Sequence, residues 1–174
     1  MNKGLTMELF EAINSRKSAA RLAEPGPTPD QLHRITIAAD RAPDHGRLKP
    51  WRIIPVNGSA REVFATAVAN ARRARIPNLT DDQMVAERDK INRSPCIVVV
   101  GCVLKKDYDK VPEIEQVLSV GAAVENMFLA AHALGLGVMW KTGAAAYDTG
   151  VKAAVGLKPE DHIIAILHLG SRAR

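Results

Sequence analysis

The sequence predicts an α+β sandwich in which helices cover a small mixed β-sheet. Three observations support this fold class: helical segments alternate with apolar runs of strand length, the strands are few, and the helices are long. The chain has 174 residues, of which 47% are hydrophobic and 25% are charged, and this is the composition of a globular domain. We therefore treat residues 1–174 as one domain.

Capping-box patterns mark the predicted helix starts. In this pattern a hydroxyl accepts from a free backbone N–H, and a Gln or Glu three residues later reaches back. It occurs at Thr28, Ser59 and Thr80, and Pro29 occupies the first helical position after Thr28. An earlier helix is predicted over residues 6–14, with its apolar side chains on one face.

The longest predicted helix spans residues 113–134 and is apolar on nearly every side. A helix without a polar side has to be surrounded, and a chain of this length has little material with which to surround it. Gly121 and Ala122 would let another backbone approach closely. We therefore expect an intertwined homodimer with this helix at its centre.

Four apolar runs have the length of strands: residues 51–56, 96–103, 138–141 and 163–169. Pro55 cannot donate to a ladder, which places the first run at an edge or a bulge. Cys96 and Cys102 share one run, six steps or about 20 Å apart, which is beyond disulfide reach. We expect two reduced thiols, a cytoplasmic protein, and neither a signal peptide nor a membrane span.

The formal net charge of +5 favours anionic partners without naming one. Nucleic acid, phosphorylated cofactors and acidic substrates all fit this charge. The cations are scattered, however, and the aromatic residues, only 4% of the chain, do not alternate with them. The expected platform for stacking nucleic acid bases is therefore missing, although a basic polyanion-binding module remains an alternative.

The first cluster that could carry chemistry follows the first helix. Arg16 and Lys17 are adjacent cations, and Ser18 adds a hydroxyl. Together they could neutralise and hydrogen-bond a phosphate dianion. A solvated basic helix end is the alternative interpretation.

Two further clusters lie later in the chain. In the loop that leads into the strand at 51–56, Arg41 and His45 could contact a ligand, or they could be a helix-end cap and a surface histidine. After the long helix, Trp140 could pack beside a planar ring while Lys141 and Thr142 bind a phosphate or a ring oxygen. The alternative for this segment is an ordinary helix–turn–strand connection with a half-buried tryptophan.

Conventional catalytic motifs are missing from the sequence. There is no nucleophile elbow, no phosphate-cradling Gly-x-x-x-x-Gly-Lys loop and no metal-ligand spacing. His132, His162 and His168 lie in apolar segments, where core histidines are more common than ligands. If the protein is an enzyme, a cofactor is expected to supply the chemistry.

The three clusters occur in an order that resembles the FMN-dependent nitroreductase family, and most closely its small bacterial YdjA-like subgroup. The resemblance rests on Arg-Lys-Ser-x-x-Arg at 16–21, Arg-Ala-Pro-Asp-His at 41–45, and Glu-Gln-x-x-Ser-x-Gly at 115–121. It also rests on the Ala-rich helix that ends in Ala-Leu-Gly-Leu-Gly-x-x-Trp at 133–140. It covers essentially the whole chain. Lys49 departs from the pattern, because many relatives have Gln there.

This resemblance implies a nitroreductase-like α+β homodimer with FMN at the subunit interface. It assigns to FMN Arg16, Lys17 and Ser18 of one subunit, Arg41 and His45 of the other, and Trp140, Lys141 and Thr142. It suggests nicotinamide contacts, less directly, at Ala130, Ala131, His132, Ala133, Leu134 and Gly135.

The implied activity is ping-pong transfer of hydride from NAD(P)H, through flavin N5, to a nitroaromatic, a quinone or a similar small acceptor. No side-chain catalyst is required, because the flavin carries the reaction. Some family members instead dehalogenate substrates or break down flavin, which is the alternative within the family. Such chemistry usually needs a lid, and residues 103–112 are short for one. Few residues follow the last strand, so we expect little of the C-terminal arm that larger relatives carry.

Overall fold

The computed structural model describes residues 7–173. The predicted α+β class is confirmed. The helices of this part of the chain are α1 (Leu9–Ser15), α2 (Pro29–Ala38), α3 (Ser59–Arg75), α4 (Asp81–Asn92), α5 (Glu113–Ala133) and α6 (Thr149–Ala154). The strands are β1 (Leu22–Ala23), β2 (Trp51–Pro55), β3 (Cys96–Cys102), β4 (Gly137–Lys141) and β5 (His162–Arg172). The predicted start of the first helix, at residue 6, lies outside the described residues.

The long strand β5 organises the sheet. It pairs with β1, β3 and β4, and β2 joins on the other edge of β3. Every pairing within residues 7–173 is antiparallel, so the expectation of a mixed sheet was wrong in this detail. Helix α5 joins β3 to β4, which run in the same direction but pair with β5 and not with each other. Pro55 ends the edge strand β2, as predicted.

Helices cover both faces of the sheet. Alternate residues of β3 enter two different cores, with Val98 and Val100 facing α2 and α5. Ile97 and Val99 face α3 and α6 instead. A strand that is buried on both faces needs apolar residues at every position, which explains the continuous apolar run in the sequence. Cys96 and Cys102 are free and buried there, and burial raises the pKa of the Cys102 thiol to about 12.

Two of the three predicted capping boxes form. Thr28 and Thr80 each accept from the backbone N–H three residues later, and the glutamines at those positions reach back. The box at Ser59 was wrong. Gly58, with φ +54°, occupies the N-cap position instead, and no side chain caps α3. Ser59 is the first residue inside the helix, and its hydroxyl makes no capping hydrogen bond.

Helix α5 is 21 residues long and packs one side on the sheet through Met127 and Phe128. Its other side is open in the single chain. Ile114 and Leu118 are 61% and 63% exposed, and a Cβ at Gly121 would meet nothing within 4 Å. The apolar side chains of α1 that the sequence placed on one face are also exposed. The helix therefore has an uncovered apolar side.

The segment between β3 and α5 is irregular but anchored. Gln116 is 4% exposed, and its amide makes three hydrogen bonds to this segment. Its Oε1 accepts from the Lys105 N–H at 2.9 Å, and its Nε2 donates to the carbonyls of Lys105 and Val111 at 3.1 Å each. One buried side chain thus replaces the backbone pairing that the segment lacks.

Candidate functional site

Arg16 follows α1 and lies against the second half of α5. Its Nε is 3.6 Å from Glu125 Oε1, and its guanidinium carbon is 4.7 Å from the centroid of the Phe128 ring. The N–H of Ala19 donates to the Val138 carbonyl at 2.8 Å and fixes the segment beside β4. Lys17, in between, is exposed. The first predicted cluster is therefore held next to the start of β4.

His132 connects this cluster to the end of β5. Its Nδ1 is 2.9 Å from Arg172 Nη2, and its Nε2 is 2.8 Å from Ser15 Oγ. A guanidinium can only donate, so Nδ1 accepts and Nε2 carries the proton. Burial, with Arg172 and Arg16 nearby, lowers the pKa of His132. Two arginines therefore flank a neutral imidazole, and one of them, Arg172, was missed by the sequence analysis.

The segment that the resemblance linked to nicotinamide is mostly internal. Ala131 is fully buried and His132 is 9% exposed. Ala130, Ala133 and Leu134 are partly buried, and only Gly135, in the left-handed region with φ +80°, is exposed. Contact with a nicotinamide at these positions stays a prediction, and the surface available for it is the turn after α5.

The second predicted cluster lies at the opposite end of α5. His45 Nδ1 is 2.6 Å from Glu115 Oε2, at the first turn of that helix. Arg41 ends a short 3-10 turn nearby and is exposed. Both side chains lie at the surface of the single chain, where they could reach a neighbouring molecule.

The loop that carries His45 has a constrained backbone. Gly46, Arg47 and Lys49 all have positive φ values, of 76°, 54° and 45°. Such conformations are uncommon for residues other than glycine. The Asp44 carboxylate accepts from the Lys49 N–H at 2.7 Å and supports this geometry.

Helix α5 keeps the two clusters apart in one chain. Glu115, beside His45, and Phe128, beside Arg16, are 13 residues apart in the sequence. At about 1.5 Å per residue this separation is about 20 Å. One copy of the chain therefore does not bring the first and second clusters together.

The third cluster lies where β4 ends. The indole Nε1 of Trp140 donates to the Ile164 carbonyl at 3.0 Å. Lys141 and Thr142 are exposed and line a cavity between β4 and the helices α3 and α4. A second cavity on the other side of Lys141 is bounded by residues 19–22, which directly follow the first cluster. The residues that directly follow the first cluster therefore share a cavity with Lys141 of the third cluster.

Lys90 and His168 line both of these cavities, and the sequence analysis did not select either as a ligand contact. His168 is 1% exposed, and its Nδ1 is 2.6 Å from Ser94 Oγ. Burial, then Lys141 and Arg61, lowers its pKa to about 4, so the imidazole is neutral at pH 7. Its Nε2 is buried without a partner.

The described residues were also compared with a metal site and with a membrane span. Within residues 7–173, no three His, Cys, Asp or Glu side chains are placed to share a metal ion. In the same part of the chain, no helix is both long and apolar enough to cross a membrane.

The fold and the three clusters described above belong to a protein of a known family. The chain is a member of the Nitroreductase family, whose sequence model matches residues 13–171. It is 37% identical over 166 residues to the protein named "Putative NAD(P)H nitroreductase YdjA" of Escherichia coli strain K12, an alignment that covers 95% of this chain and 88% of that protein.

Solved structures confirm the nitroreductase-like fold. The crystal structure of a nitroreductase-like family protein from Bacillus cereus has a TM-score of 0.81 at 23% identity and covers 97% of this chain and 87% of that one. A nitroreductase with bound FMN from Bacteroides fragilis has a TM-score of 0.71 at 23% identity, covering 97% and 90% of the two chains.

Proposed function

We propose that the protein is an FMN-dependent oxidoreductase that uses NAD(P)H to reduce a nitroaromatic, a quinone or a similar small acceptor by a ping-pong mechanism. Bound FMN would supply the chemistry, by accepting and releasing a hydride at N5. The observation that carries the proposal is the pair Arg16 and Arg172 around His132, next to the start of β4. Membership of the Nitroreductase family and the likeness to a protein with bound FMN support it.

The residues of this region fit the two ends of FMN. Arg16 and Arg172 provide fork-shaped donors for a phosphate dianion, and Lys17 and Ser18 add a cation and a hydroxyl. His132 keeps Arg172 in place through Nδ1. Lys141 lines the second cavity, and Trp140 and Thr142 are its neighbours in the chain; in this proposal the three residues would hold the ring. Lys90, which shares that cavity with Lys141, adds a cation that would stabilise negative charge on a reduced flavin.

The active unit in this proposal is a homodimer. The apolar side of α5 is open in the single chain, and Arg41 and His45 lie about 20 Å along α5 from the Arg16 cluster. A second copy packed antiparallel on α5 would cover the apolar side. It would also bring its own Arg41 and His45 to the first and third clusters, as the family resemblance implies.

The reductase activity is favoured over chemistry that needs a lid. The segment 103–112 would have to move to cover a flavin, and Gln116 holds it on α5 with three hydrogen bonds. The two free buried cysteines agree with a cytoplasmic location, which is also part of the proposal. Cell fractionation tests the location.

The direct test is the visible spectrum of the purified protein and a titration with FMN. We expect about one FMN per chain, and steady oxidation of NADH or NADPH only when FMN and an acceptor are present. Arg16→Ala and Arg172→Lys should each weaken FMN binding by about tenfold or more, since a hydrogen bond to a charged group contributes about 1.5–3 kcal/mol.

Arg34→Ala is the matched control, because Arg34 is an exposed arginine of α2 away from the site. It should bind FMN like the unmodified protein. A colourless protein that takes up no FMN, or equal FMN affinity in all three variants, would contradict the proposal.

A further inference from the structure

We infer that the cavity between β4 and the helices α3 and α4 binds the anionic group of an acidic aromatic acceptor. This inference rests on the proposed function and adds the class of acceptor. The cavity lies outside the Arg16 cluster and meets the residues that the proposed function assigns to the flavin at its rim, through Lys90, Lys141 and Thr142.

The cavity combines an apolar floor with a cationic rim. Its volume is about 220 Å³, and a cavity of about 150 Å³ already accepts benzene, so a substituted benzene ring fits. The rim carries Arg72, Arg75, Lys90 and Lys141. The floor is formed by Val68, Ala71, Ile91, Ala145 and Ile166. An anionic group between these cations, with the adjoining ring carbons against the apolar residues, matches this division.

The charge of the rim is positive even after pairing. Glu87 is the one carboxylate among the described lining residues, and it pairs with both Arg72 and Lys90. Arg75 and Lys141 form no ion pair with another residue of the 7–173 range. At least two positive charges therefore remain for an anion, in a partly closed space where their field is stronger than in water.

Two buried polar atoms of the lining residues lack partners. They are Nε2 of His168, whose side chain is 1% exposed, and Nε of Arg72. A buried polar atom without a hydrogen bond costs free energy, so a ligand or an ordered water is expected to satisfy it. If the Ser94 hydroxyl donates to Nδ1, the His168 proton lies on Nε2 and can be donated to an oxyanion.

The neighbouring cavity extends the same field. It has a volume of about 430 Å³, shares Lys90 and Lys141 with the first cavity, and adds Arg21 and Arg93. Its described lining residues include no carboxylate. An anionic acceptor would therefore be attracted to the same edge of β4 that the proposed function assigns to the flavin ring.

The reaction expected for a nitro acceptor balances without any other reactant. A nitroarene, NAD(P)H and one proton give the nitroso compound, NAD(P)+ and water. Two electrons move from the nicotinamide to the nitro group, and an N–O bond breaks. The anionic group takes no part in this step, and the cavity only holds it.

The test compares 4-nitrobenzoate with its neutral isostere 4-nitrobenzamide as acceptors for the FMN-loaded protein. We expect kcat/KM to be at least about tenfold higher for the anion at low ionic strength, and the ratio to fall as salt is added. Arg75→Gln should lower the ratio about tenfold. Arg73→Gln is the matched control, because Arg73 lies on the same helix but pairs with Asp81 outside the cavity.

A calorimetric titration of benzoate and benzamide provides a readout without turnover, and it works with or without FMN. Tighter binding of benzoate that is lost in Arg75→Gln and kept in Arg73→Gln supports the inference even if no reductase activity is found. The inference is overturned if neither 4-nitrobenzoate nor benzoate is preferred over its amide. It is also overturned if Arg75→Gln and Arg73→Gln lose this preference equally. A loss of FMN affinity in Arg75→Gln, with the acceptor ratio unchanged, would assign the cavity to the cofactor instead.

Discussion

Replacing Leu118 with lysine should dissociate the proposed homodimer without unfolding the chain. Leu118 is 63% exposed on α5, so most of its side chain makes no contact within one copy. Full burial of a leucine side chain is worth about 1.5–3 kcal/mol, and 63% of that is about 1–2 kcal/mol. A symmetric dimer buries two copies of Leu118, so the loss in the free energy of dimerisation is about 2–4 kcal/mol. The dimer dissociation constant should rise by about 30-fold to 1,000-fold.

Sedimentation velocity over a dilution series measures this constant directly. Val85→Lys is the matched control, because Val85 is 53% exposed on α4, away from the proposed interface. At protein concentrations low enough for the monomer to dominate, both variants should have the same midpoint of chemical unfolding as the unmodified protein. The FMN content of Leu118→Lys should fall together with its dimer fraction, because the proposed site needs both copies. Equal dimer constants for the two variants would refute the interface on α5.

Three further outcomes concern stability. Thr28→Ala removes a formed cap and should lower the free energy of unfolding by about 1 kcal/mol in urea titrations, whereas Ser59→Ala, where Gly58 is the N-cap, should change it by less than about 0.5 kcal/mol. Phe64→Ala should cost about 3–5 kcal/mol in the same assay, since Phe64 is fully buried between α3 and the sheet; a smaller loss would mean that the core refills. Burial lowers the pKa of His168 from 6.5 to about 4. The unfolded chain therefore binds a proton at His168 more readily than the folded chain does. The free energy of unfolding should be highest above pH 6.5 and should fall as the pH is lowered toward 4, by about 2 kcal/mol between pH 7 and pH 5. A His168→Leu variant that retains this pH slope would show that other groups cause it.

Sequence patterns predicted the helix starts correctly where the capping interaction involves only neighbouring residues. The boxes at Thr28 and Thr80 formed because each needs only four consecutive residues. The box at Ser59 failed because the direction of the incoming chain, set by the left-handed Gly58, decides which residue becomes the N-cap. Strand direction is also a property of the whole chain, so the sequence pattern did not show that every described pairing is antiparallel.

The same distinction between local and long-range information applies to the candidate site. Arg16 and Lys141 stand in recognisable local patterns, and residues 19–22, which follow the Arg16 cluster, line one cavity with Lys141. Arg172 and Lys90 belong to segments whose sequences show no motif for ligand binding. They reach the site only because β5 ends beside His132 and α4 ends beside β4. Single-sequence patterns contain no signal for such long-range placement.

The amide of Gln116 makes Lys105 a natural reporter of local motion. Lys105 is exposed and belongs to no helix or strand, so its N–H would ordinarily exchange with solvent deuterium within seconds. Because that N–H is bound to a buried side chain of α5, its exchange requires the loop to detach from the helix. The exchange rate of this one amide would therefore measure how often the segment between β3 and α5 detaches from α5, independently of global unfolding.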